Sequence, residues 1–362
     1  MSQSGGSSVQ MSLLAPDKIQ ATPDNIIEIS VKGKWVKAPA LDINGNTIVV
    51  GGRWLKVAAI HDEEWLEREI KDPELCVKIL KGHRSHGLHA DIFTFAQKLP
   101  ATLPKYEYSM EWDSIAALRA HSFREWWAKL PQEGRKNVRR SQKRGVAVGM
   151  KQFDDELIRA IREVNNDSPV RQKVHNVHYG KTVDQVKKDY SSFLDRSDFI
   201  CANLGNEVIG FLKLVYRGEI ASILNLTTKP SHYDKRPANA LVAKAMELCE
   251  ARGISYLTYG MYNYGNKRES PLREFKIRNG FGEVLVPRFY IPLTTWGAFC
   301  MKVGLHRGLL GVLPHGVITI GVNARARWYS LQHWMSRCSS MSERPNRNRQ
   351  MECSNPPAGS NL

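Results

Sequence analysis

The stretch that most constrains this chain runs from Asp198 to Gly260. DFICANL, the turn Gly205-Asn206, EVIGFLKLVY, the turn Arg217-Gly218 and EIASILNLTT read as three antiparallel strands. Pro237 then sits in the first turn of a helix whose apolar positions Leu241, Ala245, Leu248 and Cys249 recur at helical spacing, with Gly253 ending it. ISYLTYG follows at once. A strand, a helix and a second strand in so short a span form a crossover unit, which predicts that ISYLTYG lies parallel to EIASILNL in one sheet.

The remaining chain alternates in the same manner. IIEISVK, WVKAPALDI, TIVVGG and LKVAAIH read as short strands over 26–60, with a turn at Asn44-Gly45-Asn46. HDEEWLEREIKDPELCVKILKG reads as two helices separated at Pro73, the second ending at Gly82. Strand character returns in ADIFTFAQKL and KYEYSMEWDSIAAL, followed by a helical block over 122–145, a short strand at Val146–Val148 and a helix starting near Asp154. The fold class is therefore mixed α/β. Five segments are expected: a tail (1–23), a β-rich and helical module (24–120), a principal domain (121–295), a helical extension (296–339) and a second tail (340–362) rich in Ser, Asn, Pro and Arg.

Charge narrows the set of partners. Lys and Arg number 52 against 36 Asp and Glu, a net +16, which favours an anionic partner: RNA, a phosphorylated ligand or an anionic membrane surface. Much of the surplus lies between His121 and Met150, where Arg124, Lys129, Arg135, Lys136, Arg139, Arg140, Lys143 and Arg144 face only Glu125 and Glu133. The six cysteines are far apart with no CxxC, so they read as reduced thiols of a cytoplasmic protein, and the polar start MSQSGGSSVQ lacks the pattern of a signal peptide. Residues 296–322 are apolar but broken by Lys302, His306, Arg307 and Pro314, which suits contact with a membrane surface rather than a span. HxxHxxH at His83, His86 and His89 lacks a completing carboxylate or thiol, and no metal is expected. GxSxG, GxxxxGK[ST] and HExxH are absent, which removes the serine-hydrolase, P-loop and zincin chemistries.

Three stretches, RKNVRRSQKRGVAV (135–148), the run 198–260 ending in CEARGISYLTYG, and LREFKIRNGFGEVLVPRFYIPL (272–293), together resemble GNAT acyltransferases, in the branch of the Fem-type aminoacyl transferases and BioF2-like acetyltransferase domains. The resemblance implies a GNAT-like mixed sheet with a crossover helix, and attack of an amine on an activated acyl group. It places the donor's phosphates at Lys235, Arg236, Ala238, Asn239 and Ala240, although Ala238 stands where the family keeps glycine and Pro237 has no N–H to give. It makes Lys276 of the Phe-Lys pair the stabiliser of the oxyanion, on an exposed helix position, with Tyr259 and Tyr264 as candidates to protonate the leaving group and Glu274 or Asp234 to accept the amine's proton. Acetyl-CoA or another acyl-CoA is one implied donor, aminoacyl-tRNA the alternative. The acceptor is then an amine-bearing small molecule, a peptidoglycan precursor, a lipid or a protein. Arg139, Arg140, His178, Tyr179, Lys181 and Arg288 are the expected contacts to substrate or phosphate. A non-catalytic module binding RNA or a phosphate ligand on the same fold is the competing reading.

Overall fold

The computed structural model describes residues 25–31, 34–61, 69–82, 88–171, 174–263 and 270–307. Both expected tails, residues 62–68 of the helix expected between Asp62 and Pro73, His83, His86, Tyr264 and most of 296–322 lie outside them. The order is β1 (Asn25–Val31), β2 (Lys34–Ile43), β3 (Asn46–Gly51), β4 (Val57–Ile60), α1 (Pro73–Gly82), β5 (Ile92–Ala96), β6 (Ser109–Arg119), α2 (Phe123–Lys129), α3 (Gln132–Lys143), β7 (Val146–Lys151), α4 (Asp155–Asn166), β8 (Val170–Arg171), β9 (Val174–His175), α5 (Val183–Tyr190), β10 (Ser197–Leu204), β11 (Glu207–Arg217), β12 (Ile220–Thr228), α6 (Pro237–Ala251), β13 (Tyr256–Met261), α7 (Pro271–Arg278), β14 (Gly282–Pro292) and α8 (Thr295–Lys302). The chain divides into two units at Ala298. Of the second, the described part is the end of α8 and a 3₁₀ turn at Leu305–Arg307.

Twelve strands form one mixed sheet in the order β1-β2-β3-β4-β5-β14-β6-β13-β12-β11-β10-β7. The antiparallel meander β10–β11–β12 and the parallel pairing of β13 with β12 are as the sequence pattern predicts. The sheet continues through the position where composition places a domain boundary. β6 precedes residue 120 yet pairs with β13 on one side and β14 on the other, while β14 also pairs with β5. Partner choice between distant strands leaves no local trace in the sequence.

Helices cover both faces. On one, Leu212, Leu214, Ala221 and Ile223 pack with Leu241, Ala245 and Met246 of α6. On the other, Phe199, Cys201 and Phe211 pack with Ile158 and Ile161 of α4 and with Val186 and Tyr190 of α5. Side-chain caps fix the helix starts: Asp154 accepts from Leu157 N at 2.8 Å, and Ser270 accepts from Arg273 N at 3.1 Å. The block expected as one helix over 122–145 is two, because Leu130 and Pro131 are extended and Pro131 can continue no ladder. Arg135 Nη1 donates to the freed α2 carbonyls of Ala128 (2.9 Å) and Trp127 (3.3 Å).

A buried node ties α2, α3, α6 and α7 together. Trp126 Nε1 donates to Asn279 O at 3.0 Å, and Asn239 Nδ2 donates to Asn279 Oδ1 at 3.0 Å. Asn279 Nδ2 closes the set on Phe275 O at 2.7 Å. Gly134 of α3 lies so close to the Arg278 carbonyl that no Cβ fits between them. Gly134→Ala is expected to destabilise the fold by about 1–3 kcal/mol through this overlap, read as a lowered midpoint in chemical denaturation, with a smaller effect at Gly149, where an added Cβ meets nothing within 4 Å.

Candidate functional site

β12 and β13 pair over only three residues each, Ile220–Ser222 with Tyr256–Thr258. Beyond this they part: β12 stays with β11, and β13 stays with β6. Each carries an irregularity at the parting. Leu224 is skipped in the ladder to β11, and the β13 register to β6 breaks between Thr258 and Met261, with Gly260 at φ 56°. Parallel strands that diverge at their carboxyl ends leave a wedge with unpaired backbone groups, the usual place for a ligand in α/β sheets.

The start of α6 stands at the β12 side of this wedge. Its lead-in is fastened by Lys229 Nζ to Glu207 (2.7 Å), by Ser231 Oγ to Asp167 (2.8 Å), and by an ion pair of Arg144 with Asp234 that joins it to the end of α3. Arg236, at φ 57°, occupies the N-cap position without a side-chain cap, and its exposed guanidinium makes no ion pair with any described residue. Lys235 pairs with Asp234 at 3.3 Å. Asn239 spends its N–H on Arg236 O (3.2 Å) and its amide on Asn279; Ala240 is buried, and Ala238 is half-buried. A fifteen-residue helix with an uncapped start beside an unpaired arginine fits an anionic phosphate group.

Lys276 marks the β13 side, and here the structure corrects the sequence reading. It is not on an exposed position: it is 0 % exposed, with its amine set against Met261 and the Tyr259 ring at the end of β13. Nζ donates to Met261 O at 2.5 Å and lies 4.8 Å from the centre of the Tyr259 ring. Burial pulls its pKa down to about 8. Tyr259 is packed edge-on to Phe275 (6.5 Å), so it is both a core ring and the platform beneath the amine. Glu274 points away and pairs with Arg278 at 2.9 Å.

The other expected contacts lie elsewhere. Arg288 is bound to Asp113 at 2.7 Å on the sheet. His178 Nδ1 (3.3 Å), Lys181 Nζ (2.5 Å) and Trp35 Nε1 (3.0 Å) all converge on Asp189, while Tyr179 is exposed. Burial pushes the Asp189 carboxyl upward, but the three donors outweigh it and hold it below the ordinary range. Arg139 lies 5.7 Å from the Trp127 ring, above a shallow groove of about 350 Å³ lined also by Gln132, Arg135 and Lys136; Arg140 is exposed one turn before Arg144. The sequence reading missed Asp189 and Asn279 as organisers, since each acts through a partner distant in the chain. No helix among the described residues is long and apolar enough to cross a membrane.

Residues 132–268, from α3 to just past β13, match the acetyltransferase (GNAT) domain family. Among solved structures, the chain is similar to FemX (10 % identity, 73 % of this chain and 87 % of that one, TM-score 0.49). It is similar to L-PGS from Bacillus licheniformis (15 % identity, 74 % and 87 %, TM-score 0.49) and to a tandem GNAT protein from the clavulanic acid biosynthesis pathway (9 % identity, 71 % and 83 %, TM-score 0.40). A search of curated proteins finds no match.

Two predictions follow from the burial and charge pattern. Lys276→Ala is expected to destabilise the protein by about 2–5 kcal/mol through the cavity it leaves, whereas Lys276→Met keeps the volume and most of the stability; thermal unfolding separates them. Asp189 has a lowered folded pKa, so its contribution to stability is present above the unfolded carboxylate value of about 4 and lost as pH falls through the folded one. The fluorescence difference between wild type and Trp35→Phe should therefore hold at neutral pH and change only below that range, and Asp189→Asn should abolish the transition.

Proposed function

We propose that this GNAT-domain chain transfers an acyl group from an activated donor to an amine in the wedge between β12 and β13. The observation that carries the reading is the parting of two parallel strands between an uncapped helix start with Arg236 and a buried Lys276. The match over 132–268 supports acyl transfer in general. Acyl-CoA is the donor that the α6 start suits: Arg236 and the first turn of α6, with Lys235 beside them, would hold its phosphates. When bound, such a donor supplies the thioester that the amine attacks.

The chain's own contribution is electrostatic. Lys276, desolvated and fixed over Tyr259, offers a positive charge to an oxyanion developing at the acyl carbon, and a dry surrounding strengthens that interaction. One observation favours aminoacyl-tRNA as a second donor reading: Lys136, Arg139, Arg140 and Lys143 on α3 have no carboxylate partner among the described residues, and α3 ends at the α6 start through the Arg144–Asp234 pair. The acceptor under either donor is an amine, carried by a small molecule, a peptidoglycan precursor, a lipid or a protein.

Incubation with acetyl-CoA, longer acyl-CoAs and aminoacyl-tRNA, each with a panel of amines, should yield acylated product by mass spectrometry. No product from any donor would leave a non-catalytic ligand-binding module. Lys276→Met is expected to lower turnover about a hundredfold. Protonated Lys276 is the active form of that residue, so its contribution to the wild-type rate should be lost as pH rises through about 8, and Lys276→Arg should move that limb upward. Arg236→Ala should raise KM for the donor with little change in kcat. Binding of bulk tRNA that weakens steeply with salt, with a logarithmic slope flattened by about one to two in the Arg139→Ala, Arg140→Ala double variant, would favour the RNA-linked donor.

A further inference from the structure

We infer that Arg273 forms a recognition site for an anionic group, a carboxylate or a phosphate, on the acceptor amine. The inference rests on the acyl-transfer reading and names the acceptor class for that same site. Arg273 and Lys276 lie three residues apart on α7 and so share one face of the helix. Both cations address the end of β13: Lys276 lies over the Tyr259 ring, and the Arg273 guanidinium lies 5.1 Å from the centre of the buried Tyr262 ring.

The two differ in what they bind. Lys276 has a carbonyl acceptor at Met261, whereas the Arg273 guanidinium has no hydrogen bond or ion pair with any described residue. Its Nε is shielded from water and still has no acceptor. A buried donor left unmade costs free energy that a complementary ligand restores. Nearby carboxylates are committed elsewhere: Glu274 to Arg278, and Glu283 to Ser114 and Asn263. Tyr262 holds the guanidinium in place from below, which leaves its donor edge for a planar oxyanion in a forked contact.

Position assigns this anion to the acceptor rather than the donor. The anion-suited start of α6 follows β12, whereas Arg273 follows β13, on the other wall of the wedge, one helical turn from Lys276. An amine entering over α7 with its anion on Arg273 would present its nitrogen near the Lys276 side. Neutral amines would lack that anchor.

Ligand-observed NMR on the full chain, with N-acetylglycine, its neutral analogue N-acetylglycinamide, inorganic phosphate and coenzyme A as probes, tests the site. Wild type should bind N-acetylglycine at least about tenfold more tightly than the amide, as expected for one charge-assisted contact. Arg273→Gln should reduce N-acetylglycine to the level of the amide and leave coenzyme A unchanged, and Arg273→Lys should retain part of the preference. Displacement of N-acetylglycine by phosphate would identify phosphate as a second group the site accepts. Equal binding of carboxylate and amide by wild type, or loss of coenzyme A instead of N-acetylglycine in Arg273→Gln, would overturn the proposal. The wild-type comparison decides the matter even if Arg273→Gln fails to fold. Absence of turnover with every donor, alongside an Arg273-dependent carboxylate preference, would remove the acyl-transfer reading and leave the anion site; turnover with no such preference would do the reverse.

Discussion

Three paired residues on each strand hold β12 to β13, and the architecture around the candidate site depends on the pairing stopping there. Had the ladder continued, the carboxyl ends of both strands would be closed by each other, and α6 and α7 would have no opening to flank. Each strand is instead retained by its outer neighbour, β11 or β6, so the sheet stays continuous while its middle opens. The irregularities at Leu224 and at Tyr259–Gly260 bend the strands apart at the same level.

Holding such an opening in a fixed shape requires its walls to be tied from behind. Asn279 does this, since its carbonyl, amide nitrogen and amide oxygen bind Trp126, Phe275 and Asn239, which belong to α2, α7 and α6. A buried amide bonded through both its oxygen and its nitrogen specifies one arrangement and penalises others. The lead-in to α6 is tied similarly through Glu207, Asp167 and Arg144. Into this frame the fold places a desolvated lysine, a costly residue that is tolerated because Met261 O and the Tyr259 ring both favour its charge.

A second constraint ties the β1–β2 edge of the sheet to α5. β1 pairs with Lys34–Ala40 of β2 and β3 with Ala40–Ile43, so β1 and the first part of β2 extend as an arm whose Trp35 rests on Asp189 at the end of α5. Lys188 lies over the same indole at 4.7 Å and pairs with Glu28. His178 and Lys181, read from the sequence as ligand contacts, serve this junction through Asp189. Polar, aromatic-rich loops look alike whether they meet a ligand or another part of the chain.

What the sequence determined by itself is the meander, the crossover helix opened by Pro237, the helix start near Asp154, and the parallel return of β13. Periodicity and turn residues suffice for the first three because the deciding contacts lie within a few residues, and the parallel return follows from the short strand–helix–strand connection. The Phe-Lys pair also singled out Lys276, through resemblance, but its burial was illegible, since a helix of low amphipathicity does not declare which face another strand will cover. Only the tertiary structure decided that β14 inserts between β5 and β6, that β12 and β13 part after three residues, and that Arg273 stands over Tyr262 with its Nε unmatched. Those features arise from pairings across tens to hundreds of residues, for which the chain carries complementary surfaces but no local signal.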